Sequence, residues 1–214
     1  MGVLIMNRCS DILTYILATI KRGPYNKEMG VHEWATFSLW EYTYFIDGLT
    51  SKTYRVSSDG TTQELKYTCA GDKKYHMIMS LCTMQLKVHR VLAAALKENG
   101  DNILEGYEVN HMIIPTRCCD VETRYVLNEA EFLELVTPAL NNKHKRFVHD
   151  NDLYGLPVSA YDIDFFEEYF KENNILKHQR RDAVYDAYIQ RANGNILFMK
   201  LHNLLLKYRT FDIK

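Results

Sequence analysis

Four residues in the middle of the chain, Asn110, His111, Asn128 and Asn141, have side chains that together could hydrolyse a phosphodiester. That reaction needs an activated water, charge neutralisation on the phosphate and help for the departing 3′ oxygen. A Mg²⁺-like cation takes oxygen ligands, keeps several waters and is often held by only one or two side chains plus a phosphate. The amide oxygens of Asn110 and Asn141 could be those two ligands. Neutral amides hold such an ion less strongly than carboxylates do, so modest metal affinity is expected. A histidine titrates near neutrality and can take a proton from water, which makes His111 the candidate general base. Its ring must be held by a hydrogen bond to the other nitrogen, and Asn128 is the candidate for that role. Neighbours on a strand point to opposite faces. At a strand end, where the backbone turns, Asn110 and His111 could both flank one phosphate.

Three elements must carry these residues. The pattern predicts a short strand over 107–110 aimed at His111, and a second over 133–136 following Asn128. Thr137-Pro138 then opens a helix through Asn141 to about Val148, with Thr137 as N-cap and proline at the first helical position. Upstream, apolar spacing predicts a helix from Asp11 to Ile20, ended by Gly23-Pro24. Strands follow around Phe37–Ile46, Lys52–Val56, Thr62–Thr68, Tyr75–Leu81 and Gln85–Val88, with turns at Asp47-Gly48, 57–60 and Gly71-Asp72. A helix over His89–Lys97 is carried by Val88, Leu92 and Leu96 with Ala93, Ala94 and Ala95, and Gly100-Asp101 breaks it. Beyond Gly155-Leu156-Pro157 three helices are expected, at about 163–172, 180–191 and 196–208. The class is therefore α+β. Its expected parts are an N-terminal helix and linker (1–36), a β-rich module (37–86), a central core (87–154) and a C-terminal helical segment (155–214).

Composition bounds the reading without deciding it. Hydrophobic residues make up 47% and charged residues 25% of 214, as in an ordinary globular protein. The formal net charge of −1 is not that of a strongly basic nucleic-acid binder, so local charge must carry any such contact. Basic residues gather from Lys177 onward. Five cysteines, an odd number without a C-x-x-C pair, and the lack of a secretory leader pattern lead us to expect reduced thiols in a cytoplasm. Cys118-Cys119 next to each other cannot easily face one ion, so zinc is not expected. No run has the length needed to span a bilayer, and no membrane partner is expected.

Several segments resemble, in order, the HNH (ββα-metal) endonucleases of the homing type found in phages and mobile introns. Residues 88–96 (VHRVLAAAL) look like that family's VHRLVAxAF helix, and residues 108–112 (EVNHM) like its xVNHID core. Residues 127–141 (LNEAEFLELVTPALN) look like NNxxENLEWVTxxEN. Residues 54–60 (YRVSSDG) resemble the YxVSNxG module that often precedes the nuclease. Three departures stand out. The family's DGNKxN loop is replaced by a longer insertion over 112–127, and Phe132 and Leu135 stand where the family has Asn and Trp. The resemblance implies a metal-dependent DNA endonuclease using Mg²⁺ or Mn²⁺, with His111 as general base, Asn128 orienting it, and Asn110 and Asn141 on the metal side. It places His89 in a packing role. It implies DNA as partner and the cytoplasm of a bacterial host as location. The alternative it leaves is a phage protein on an inactive HNH scaffold, binding nucleic acid or a host protein as an inhibitor.

Overall fold

The computed structural model describes residues 9–69, 76–82, 84–115 and 121–192. The expected turn at Gly71-Asp72, the Cys118-Cys119 pair and the helix expected at 196–208 lie outside the described residues.

The first helix, α1 (Cys9–Thr19), buries Ile12, Leu13 and Ile16, the apolar positions whose spacing predicts it. Three short strands the periodicity does not reveal follow it, β1 (Lys21–Arg22), β2 (Tyr25–Asn26) and β3 (Val31–His32). Two-residue strands carry no repeat to detect. The five-stranded antiparallel sheet runs in the order β1, β4 (Trp34–Leu39), β5 (Tyr42–Asp47), β6 (Thr53–Val56) and β7 (Thr62–Glu64). In β4 the alternation is direct: Ala35, Phe37 and Leu39 are buried while their neighbours are not. The turn into β7 is the one the sequence predicts. Gly60 stands at φ 83°, a left-handed conformation that glycine adopts without penalty, and its N–H donates to the Ser57 carbonyl at 2.9 Å.

A second antiparallel sheet has the order β10 (Met84–Lys87), β9 (Met77–Leu81), β8 (Thr68–Cys69). The expected strand over Thr62–Thr68 is therefore split between β7 and β8, which belong to different sheets. Strand β10 leads directly into α2 (Val88–Leu96), buried at every position except Arg90. Small side chains at Ala93, Ala94 and Ala95 let the C-terminal half of the helix be buried all round. The Arg22 guanidinium grips its C-terminal end, donating to the carbonyls of Ala95 at 3.0 Å and Ala94 at 2.9 Å. These are carbonyls that a helix end leaves without helical partners.

The strands β11 (Glu108–His111) and β12 (Leu133–Val136) pair antiparallel, with Glu108 opposite Val136, Asn110 opposite Glu134 and His111 opposite Leu133. Between them the expected insertion holds a short helix, α3 (Val121–Leu127), ending just before Asn128. After β12, α4 (Pro138–Asp150) starts as expected, with the Thr137 hydroxyl accepting from the Leu140 N–H at 3.3 Å, and packs on β11. Strand β12 lies between two cores. Leu133 and Leu135 join the cluster containing α1, the large sheet and α2, whereas Val136 belongs to a second cluster with Phe147, Phe166, Phe170 and Val184. The second cluster is completed by α5 (Ile163–Glu172) and α6 (Arg180–Ala192), both near their expected bounds. Arg180 stacks on Phe170, 5.1 Å from the ring centre, and bonds Asn151, while Arg181 donates to the Tyr154 carbonyl at 2.6 Å. These two charges of the basic C-terminal segment thus fasten α6 to the fold.

The helix α4 also brings in His144, which is fully buried. Its Nε2–H donates to the Val158 carbonyl at 2.8 Å and its Nδ1 has no hydrogen-bond partner. Burial, ahead of any other cause, pushes its pKa down to about 4. A histidine held neutral in the fold binds fewer protons than the unfolded chain does, so its contribution is full above the unfolded value near 6.5 and is lost as pH falls toward 4. The loss is at most about 3 kcal/mol. Urea denaturation should therefore show a midpoint that falls between pH 7 and pH 4, and His144→Gln should make that fall shallower; an unchanged slope would remove His144 as a cause.

Candidate functional site

Where β11 ends beside the start of α2 and the first turn of α4, the surface opens into a cleft of about 300 Å³. Three of the four residues singled out from the sequence line it: Asn110, His111 and Asn141. Asn128 does not, but stands buried behind His111 with its Oδ1 at 3.3 Å from the ring Nε2.

The Asn128 amide has a fixed orientation. Its NH₂ donates to the Arg124 carbonyl at 2.8 Å, one turn back on α3. Its oxygen must then be the atom that faces His111, and His111 Nε2–H the donor. A neutral imidazole with its proton on Nε2 carries its lone pair on Nδ1, the atom able to accept a proton. Burial, partly opposed by the Asn128 bond, pushes the His111 pKa down to about 3, so the ring is neutral at neutral pH. An anion docked in the cleft would act in the opposite direction.

The two other amides are oriented by carboxylates. Asn110 Nδ2 donates to Glu134 Oε2 at 3.2 Å, across the directly opposed pair of the β11–β12 register. Asn141 Nδ2 donates to Glu108 Oε2 at 2.5 Å. Each amide thereby keeps its oxygen for another use, and the Asn141 Oδ1 is buried with no hydrogen-bond partner. An orphaned buried oxygen is costly unless something binds it. Among the described residues no three His, Cys, Asp or Glu side chains converge closely enough to hold an ion. The donor set on this side of the cleft is thus amide oxygen with a carboxylate next to it, which suits a hard divalent cation.

Histidines form the opposite wall. His89 lies with its ring centre 4.9 Å from that of His111 and 5.0 Å from that of His76. The sequence places His89 in packing, and it is indeed buried, but its Nδ1 is without a partner and it lines the cleft. Burial first, then the neighbouring His111 and His76, hold its pKa well below the usual histidine range. Exposed Lys87, Arg90 and Lys145 stand at the rim, and Glu108 is the one acidic side chain among the described lining residues. The N-terminus of α2, where Lys87 makes no side-chain cap, adds the positive end of the helix dipole to the rim.

No family model, curated protein or solved structure matches this chain. Residue geometry therefore carries the functional reading alone.

Sequence reasoning missed Glu108, Glu134, His76 and the cleft-facing side of His89. Glu108 had a signal: it lies two residues before Asn110, and alternate residues of a strand share a face. Glu134 and His76 had none, because their positions follow from pairing and packing between distant segments. The tautomer is open to direct test. Long-range ¹H–¹⁵N NMR at pH 7 should show His111 neutral with its proton on Nε2, and Asn128→Ala should mix the two tautomers; a proton found on Nδ1 in the unaltered chain would refute the assignment.

Proposed function

We propose that the cleft is the active site of a metal-dependent DNA endonuclease of the HNH, homing-type kind, with β11, β12 and α4 as its ββα-metal core. The observation that carries this reading is the His111–Asn128 hydrogen bond, set against an orphaned Asn141 oxygen in the same cleft as Asn110. His111 would serve as general base and the amide oxygens as cation ligands within one cleft, as phosphodiester hydrolysis requires.

The residues divide the work. Lys87, Arg90 and Lys145 draw the DNA backbone to the rim by charge, a sequence-independent attraction. Asn110 and Asn141 would hold Mg²⁺ or Mn²⁺ through their amide oxygens. When bound, the ion supplies positive charge to the phosphate and to the departing 3′ oxygen. His111 Nδ1 takes a proton from a water whose oxygen attacks phosphorus. The bond from phosphorus to the 3′ oxygen breaks, and that oxygen gains a proton from solvent, leaving a 5′ phosphate and a 3′ hydroxyl. Asn128 holds the ring in the required tautomer, and its carbonyl oxygen favours the imidazolium that forms.

Among the described residues no helix is long and apolar enough to cross a membrane, so nothing in the reading calls on one. Plasmid nicking should occur with Mg²⁺ or Mn²⁺, stop on chelation, and fall by at least about 10²-fold in His111→Ala. Metal-dependent cutting that survives the substitution would remove His111 from its role. DNA binding without any cutting would favour the scaffold that only binds.

A further inference from the structure

The proposed metal site has an electrostatic deficit. Two neutral amides bring no charge, while Lys87, Arg90 and Lys145 at the rim repel a divalent cation. Hard cations of this kind are normally held with at least one carboxylate. Resting on the endonuclease reading above, we propose that Glu108 is a direct ligand of the cation, completing with Asn110 and Asn141 a set of one carboxylate and two amide oxygens.

Four observations support this. Glu108 and Asn110 are two residues apart on β11, so the pleat puts both side chains on one face. Glu108 Oε2 accepts from Asn141 Nδ2 at 2.5 Å, so its carboxylate already touches the residue whose Oδ1 is buried and unpartnered. The other nearby carboxylate, Glu134, is engaged: it accepts from the Ser159 hydroxyl, from the Ala160 N–H at 3.0 Å and from Asn110 at 3.2 Å. Glu108 is exposed and lines the cleft, which leaves its carboxylate accessible to an ion from solvent.

A purely orienting role for Glu108 makes a different prediction. Glutamine keeps the oxygen that accepts from Asn141 and removes only the charge. Mn²⁺ binding to the full chain without DNA, followed by the electron paramagnetic resonance signal of free Mn²⁺, separates the two. Glu108→Gln should weaken Mn²⁺ binding at least about tenfold. Equal Mn²⁺ affinity of Glu108→Gln and the unaltered chain would overturn the proposal, as would an unaltered chain that binds no Mn²⁺. Nicking is scored separately. Cutting by the unaltered chain together with undiminished Mn²⁺ binding in Glu108→Gln removes Glu108 and leaves the nuclease. Mn²⁺ held through Glu108 without cutting keeps the ligand and removes the nuclease.

Discussion

The register between β11 and β12 is the constraint on which the site depends. Because side chains alternate along a strand, pairing Asn110 with Glu134 sends Glu108 and Asn110 toward α4, and His111 toward α2. A slip of one residue would reverse every one of these directions. Burial on both sides fixes the register. Leu133 and Leu135 belong to the core built on the large sheet, and Val136 to the core built on α5 and α6. The two-stranded ribbon is thus held between two apolar masses.

Polar groups in this region are arranged so that each fixes the next. The Arg124 carbonyl orients Asn128, Asn128 orients His111, Glu134 orients Asn110 and Glu108 orients Asn141. Such chains are stable only when nearly every member is satisfied. Two buried atoms without a partner, Asn141 Oδ1 and His89 Nδ1, are at the cleft; two others, His144 Nδ1 and Arg55 Nε, are away from it.

Much of this was legible in the sequence, and the reasons are specific. Thr137-Pro138 gave the start of α4, and the apolar run at 133–136 gave β12, because caps and alternation are local signals. Asn110, His111 and Asn141 were identifiable because their chemistry is narrow, and the structure brings all three to one cleft. The α+β class followed from the switch between the two periodicities. The helix α3 was not anticipated within a segment read as insertion, since seven residues give barely two turns of pattern. Nor were the contacts of His76, the service of Glu134, or the use of Arg180 and Arg181 as internal fasteners. Each depends on which distant segments meet, and a single chain's local spacing does not encode that.

The grip of Arg22 on α2 has a consequence for how distant changes reach the cleft. The helix has nine residues, a rod about 13 Å long, and it is clamped at the end remote from His89. Every position of that rod except Arg90 is buried, which leaves it little room to bend between the two tips. Arg22 and the His89 imidazole thus stand at opposite tips of one short helix, which makes α2 the common support of β1 and the cleft.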